Sequence, residues 1–235
     1  MEQLKQFFED KSIQTLLDVG TGSGDFITVL KETFDKTKFT GIDPDKSSLE
    51  EAAKVHPDVE FMNMTGEKLE FADSTFDAAS ISMAMHHLPD VQLTFKEMQR
   101  VVKPDGWIIV NELFSDNLNP AQEVHKQMHH FRSTIDRLNG VCHNETFTRA
   151  EITEKIEKAG LKIYTAFNND KALVSPTAEE IAERKDKLTE MLEQVKDKPE
   201  YDQLKNQIPA IEAALKQHGF QMATRVVVIA KVEKD

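Results

Sequence analysis

From residue 13 to about residue 114 the chain alternates short apolar runs rich in β-branched residues with segments whose apolar positions recur at helical spacing. Strands are predicted at 13–19, 38–43, 59–63, 76–82 and 106–113. Between the first two, Phe26, Val29, Leu30 and Phe34 mark a helix. Ser47 and Glu50 form an S-x-x-E capping box that opens the next one. Asp90 caps a helix whose stripe is Val91, Phe95, Met98 and Val102, after which Pro104, Asp105 and Gly106 turn the chain. The order β-α-β-α-β followed by β-α-β predicts an α/β fold with a doubly wound, mostly parallel sheet.

Beyond this point the pattern changes. Pro120 starts a long helix with Ala121, Val124, Met128, Phe131, Ile135 and Leu138 along one stripe. Thr148 with Glu151 forms a second capping box, opening a helix that ends at Gly160 before a strand at 161–167. Residues 176–218 are dense in charge and helix formers, break near Lys198 and Pro199, and predict a helical pair ending at Gly219. A last strand follows at 223–232. The expectation is a single domain over 1–235, with seven strands and a helical insertion at 168–222 that is a candidate lid or homodimer contact.

Composition narrows the function. The chain has 235 residues, enough for one sizeable core. Lys and Arg number 29 against 41 Asp and Glu, a net charge of −12, which argues against a general nucleic-acid binder. The single cysteine, Cys142, has no internal disulfide partner and no zinc-type spacing around it, and is expected to pack rather than react. No apolar run of about 18 residues predicts a membrane span, and residues 1–10 lack a signal-peptide pattern. A cytoplasmic protein is expected.

The chemistry concentrates at the end of the first strand, in Leu16-Leu17-Asp18-Val19-Gly20-Thr21-Gly22-Ser23-Gly24-Asp25. Glycines at a strand–helix turn bring backbone N–H groups against a ligand, and the helix N-terminus adds partial positive charge. About 20 residues on, the second strand ends in Gly41-Ile42-Asp43-Pro44, where a carboxylate can accept both hydroxyls of a ribose. The dinucleotide fingerprint G-x-G-x-x-G requires a third glycine where this chain has Asp25, and no G-K-[S/T] follows for a phosphate loop. Asp18, just before the turn, would repel phosphates and attract a cationic ligand. Among nucleoside cofactors this charge favours S-adenosylmethionine (SAM), with its amino and sulfonium groups.

This segment resembles the first motif of class I SAM-dependent methyltransferases, especially the group containing the ubiquinone and menaquinone methyltransferases. The resemblance continues through Gly41-Ile42-Asp43-Pro44, residues 69–77, His86-His87-Leu88-Pro89-Asp90 and residues 100–107. It implies a methyltransferase of Rossmann-like fold that binds SAM and releases S-adenosylhomocysteine. Asp18 and the backbone of Gly20, Thr21, Gly22 and Gly24 would face the methionine part, with Asp43 on the ribose and Pro44 against the adenine. Gly66 and Glu67 would stand beside the adenine edge, with Thr65 where the group often has an aspartate. Ser82 and Met83 would border the methionine chain. The acceptor implied is a small molecule, for which residues 120–138 and the insertion are the candidate cover. A residue stretch of a dozen before the first strand leaves room for only a small lid.

His86 and His87 stand where the family places the transferring methyl, with His87 the favoured of the two as a base. An imidazole there could deprotonate or orient a nucleophile; the alternative is that one caps the turn and the other shapes the pocket. His125 and His129 are i,i+4 on one helix face, close in sequence to His130 and His143. With no third ligand at a fixed spacing, a solvated or pocket-rim face is expected and no metal site. Two other functions remain open from the residues: a catalytically silent SAM-binding partner subunit and, against Asp25, a nicotinamide-dependent oxidoreductase.

Overall fold

The structure, a computed structural model, describes residues 1–233. The chain divides into two compact units: one of residues 1–112, 150–169 and 226 onward, the other of residues 113–149 and 170–225.

The first unit is built on a seven-stranded sheet. Its strands are β1 (Thr15–Val19), β2 (Lys38–Asp43), β3 (Glu60–Asn63), β4 (Phe76–Ser82), β5 (Val102–Leu113), β6 (Lys162–Asn169) and β7 (Arg225–Lys231). Their spatial order is β3-β2-β1-β4-β5-β7-β6. The sheet is mostly parallel, with β1 paired in parallel to both β2 and β4. The order therefore reverses between β1 and β4, and in such sheets ligands bind outside the carboxyl ends at that reversal. Val232 bonds to Asp105 and Gly106 while Phe114 N–H donates to the Thr224 carbonyl, so β7 runs antiparallel to β5. The wholly apolar burial of Val226 to Ala230 fits a strand covered on both faces.

Helices α1 (Glu2–Phe8), α2 (Asp25–Thr33), α3 (Lys46–Val55), α4 (Val91–Val101) and, after the second unit's first helix, α6 (Arg149–Lys158) complete the scaffold. The cap of α3 is Asp45, whose carboxylate accepts from the N–H groups of Ser47 and Ser48, so the box expected at Ser47 starts two residues late. Asp90 caps α4 through the Leu93 N–H, as its sequence position predicts. The dozen residues ahead of β1 are not a loose flap. Leu4 and Phe8 are buried with Ile13, Leu16, Phe34 and Phe39, and Phe8 stacks edge-on against Phe34 and Trp107. That cluster also takes in Phe26, Ile27 and Leu30 of α2.

The second unit holds α5 (Pro120–Leu138), α7 (Ala178–Glu193), α8 (Tyr201–Lys205) and α9 (Ile208–His218). Three helices thus occupy the stretch where a pair is predicted. Leu188, Leu192, Leu204, Ile211 and Leu215 form one core with Val124, Phe131 and Ile135 of α5. The apolar stripe of α5 is the surface that these helices bury, which accounts for their otherwise charge-dense sequence. No helix among the described residues is long and apolar enough to cross a membrane.

Candidate active site

Parallel register sets the site. Asp18 of β1 lies opposite Gly41 of β2 on one side and Ser80 of β4 on the other. Asp43 lies opposite Asn63 of β3, and Ser82 opposite Asn111 of β5. These pairs collect polar groups at or near the carboxyl ends of five adjacent strands.

Asp18 is 1% exposed, and its Oδ1 accepts the Ser80 hydroxyl at 2.6 Å. Oδ2 is buried without a hydrogen-bond partner among the described residues, as is the hydroxyl of Thr21. Burial pushes the Asp18 carboxyl up to about 6, against the opposing pull of the Ser80 hydroxyl and of the nearby Thr21 hydroxyl, which falls short of a well-formed bond. A buried carboxylate oxygen with nothing to bond is costly, and a cationic ligand would relieve that cost.

The turn after β1 places Gly20, Gly22 and Gly24 at φ of 67°, 51° and 85°, a conformation that side chains disfavour. A Cβ at Gly20 would lie 2.6 Å from the Ala84 Cβ, and one at Gly24 would lie 2.8 Å from the His56 ring. At Gly22 a Cβ would meet nothing within 4 Å. Packing explains two of the three glycines; at Gly22 the space beyond the backbone is open. The turn is held by Thr21 N–H on the Ile42 carbonyl and by Gly22 N–H on Asp43 Oδ2, both at 2.9 Å. Asp43 Oδ1 accepts the Asp45 N–H at 2.8 Å, and Asn63 Nδ2 donates to the carbonyls of Asp43 and Pro44. Asp43 is half-buried and Pro44 exposed.

Along the sheet, Thr65 is exposed and Gly66 buried, with Thr94 and Val19 leaving no room for a Cβ at Gly66. Glu67 carries a buried Oε1 without a partner among the described residues. Beyond β4, Ser82 Oγ accepts Asn111 Nδ2 at 2.8 Å, and Met83 adopts a φ of 55° while its N–H donates to the Asn111 carbonyl.

Residues 85–87 form one turn of 3-10 helix. His86 is 2% exposed and its Nδ1 lies 3.0 Å from Glu112 Oε1, while Glu112 Oε2 accepts the Met85 N–H at 2.9 Å. Glu112 is itself 1% exposed. With Nδ1–H donating to this carboxylate, Nε2 is the lone-pair nitrogen of the neutral ring. His87 is exposed. Glu112, Asn111, Ser80 and Asn63 are absent from the sequence-derived site. Their signal was a polar residue within or ending an otherwise apolar strand.

In the second unit, burial and the nearby Arg225 and Arg184 push the His125 imidazole down to about 4, and its Nδ1 accepts the Ala223 N–H at 3.2 Å. His130 Nε2 bonds to the Thr146 hydroxyl at 3.0 Å.

Residues 17–110 match the family described as the methyltransferase domain. That match spans 94 of the 235 residues. The unpartnered Asp18 oxygen and the open space at Gly22 suit a cationic nucleoside. Over 145 residues, 61% of this chain, the sequence is 28% identical to the demethylmenaquinone methyltransferase of Chlorobaculum parvum, and the match spans 58% of that protein. The demethylmenaquinone methyltransferase of Thermotoga maritima is 32% identical over 104 residues, 44% of this chain and 45% of its own. The chain thus matches only about half the length of these relatives. Among solved structures, the YcgJ protein of Bacillus subtilis superposes with a TM-score of 0.62 at 18% identity, over 100% of this chain and 99% of its own. The cyclase SpnF gives 0.60 at 17% identity, over 100% of this chain and 81% of its own. Likeness at that identity speaks for the fold alone, and a fold hosts more than one chemistry.

Proposed function

We propose that this chain transfers the methyl group of SAM to a small-molecule acceptor by in-line displacement. The observation that carries the proposal is Asp18, a buried carboxylate with one oxygen unpartnered, beside a glycine turn that is open at Gly22. Asp18 would hold the cationic methionine part, with the backbone of Gly20, Thr21, Gly22 and Gly24 around it. Asp43 would accept from the ribose hydroxyls, each carboxylate oxygen having a lone pair beyond its backbone bond. Pro44, Thr65, Gly66 and Glu67 would border the adenine, and Ser82 and Met83 the methionine chain. When bound, SAM supplies an activated electrophilic methyl. The work left to the chain is to hold acceptor and donor in line, which converts a bimolecular step into a nearly unimolecular one.

Where the acceptor must lose a proton, His86 Nε2 is the group assigned to take it. Glu112 fixes the ring and its tautomer and stabilises the imidazolium that forms. Burial and this carboxylate favour His86 over the exposed His87. A small-molecule acceptor is supported by the names of the relatives, which are quinone methyltransferases. The family match ends at residue 110, so it says nothing about which acceptor the remaining chain selects. Incubation with methyl-labelled SAM and the small-molecule fraction of a cell extract tests the proposal. Label should pass to a low-mass product with the wild type and not with Gly22→Val. Label that stays on SAM throughout would count against methyl transfer.

A further inference from the structure

The second unit contains a histidine pair that the i,i+4 spacing of α5 does not reveal. His129 lies on α5 and His143 in the loop after it. That loop turns back at Gly140, where φ is 82°, with the Val141 N–H on the Asp136 carbonyl at 2.9 Å. Arg137 Nη1 holds the His143 carbonyl at 2.8 Å. As a result His143 is 2% exposed, its Nδ1 is 2.6 Å from Asp136 Oδ2, and its Nε2 is 3.3 Å from the Nε2 of His129. Asp136 is seven residues from His129, two turns along the same helix face.

We propose that His129 and His143 bind a divalent transition metal, zinc being the first candidate, through their two Nε2 atoms, with Asp136 orienting His143 from behind. Three features support this. First, two imidazole ligands at the usual zinc–nitrogen length and a tetrahedral angle have their nitrogens about 3.3–3.4 Å apart, which matches the observed 3.3 Å. Second, the ring centroids are 4.8 Å apart at an interplanar angle of 85°. A linear N–H···N bond of this length would separate the centroids by about 5.6 Å, so the contact is bent away from the line of a simple hydrogen bond. Third, a metal-binding imidazole characteristically donates its other N–H to a carboxylate, which fixes the metal-facing lone pair, and Asp136 does this for His143. The remaining coordination positions are open to water or to a ligand heteroatom. His125 is not part of the set: its ring centroid is 6.2 Å from that of His129, and its Nδ1 is engaged by the Ala223 N–H.

The site does not depend on methyl transfer, and metal binding can be read without activity. Tag-free protein stripped with chelator and dialysed against zinc should retain one equivalent per chain and melt at a higher temperature. Cobalt(II) in its place should give visible absorption bands of low-coordinate geometry. His129→Gln, on a half-buried helix position, should lose the metal while keeping the wild-type circular dichroism; His143→Gln should lose it too. Asp136→Asn should weaken binding by about 10–100-fold. The proposal is overturned if the wild type retains no zinc, since the pair is then a hydrogen bond alone. It is equally overturned if His129→Gln and Asp136→Asn bind zinc as tightly as the wild type, which would place the ion elsewhere.

Discussion

Asp43 Oδ2 accepts the Gly22 N–H at 2.9 Å, tying the end of β2 to the glycine turn after β1. The residue proposed to bind ribose is therefore also a structural clamp on the loop proposed to cradle the cofactor. Asp43→Ala removes both at once. Each charge-assisted bond contributes on the order of 1.5–3 kcal/mol, so SAM affinity should fall at least tenfold. Titration calorimetry of the variant checks this, and unchanged affinity would remove Asp43 from the site.

The three turn glycines separate by what lies beside them. Gly22→Val fills open space at a φ of 51°, and should leave the protein folded, at a backbone cost of about 1–2 kcal/mol, while abolishing cofactor binding. Gly24→Ala drives a methyl group into the His56 ring and should instead lower the melting temperature. A thermal melt paired with a SAM titration on each variant distinguishes the two outcomes.

Asp18 trades stability for binding. Its carboxyl titrates at about 6 when folded and near 3.9 when unfolded, so the native state binds the extra proton between those values. Stability of the unliganded protein should therefore fall as pH rises through that window. At pH 7 the charged group costs about 3 kcal/mol. Asp18→Asn should raise stability by up to that amount, flatten the pH dependence between 4 and 6, roughly the window set by the two values, and weaken SAM. Denaturant melts across pH, with and without the substitution, give the sign directly.

His86 and Glu112 should separate by readout. If His86 takes the acceptor's proton, His86→Gln should lower turnover by about 10²–10⁴-fold with SAM affinity nearly unchanged, while His87→Gln has a small effect. Glu112→Ala leaves the Met85 N–H and the His86 Nδ1–H without this acceptor, and should cost about 2–6 kcal/mol of stability. Turnover and Kd for the histidine variants, and a denaturation curve for Glu112→Ala, check both statements.

Much of the sheet was legible because its strands are short, β-branched and bounded by turn residues. The bounds of β2 and β4 match the sequence expectation residue for residue. β5 begins earlier than expected, at Val102, because Val102 pairs with Phe76 and the turn residues Lys103 to Gly106, with Asp105 at a φ of 64°, are absorbed as a register irregularity before pairing resumes at Trp107. The helical excursion was legible as helix, but its partner was not. Leu188 and Ile211 pair with the stripe of α5 more than 50 residues away, and sequence periodicity gives a face without saying what covers it. The same limit hid Ser80, Glu112 and the meeting of His129 with His143. Each depends on strand register or on a loop folding back, both set by long-range packing.

The most direct measurement is a calorimetric titration of the wild-type chain with SAM and, separately, with NAD. Saturable 1:1 binding of SAM, none of NAD, and loss of the SAM signal in Gly22→Val are expected. Absence of SAM binding by folded wild-type protein, or NAD binding that survives in Gly22→Val, would contradict the assignment of the glycine turn, Asp18 and Asp43 to this cofactor.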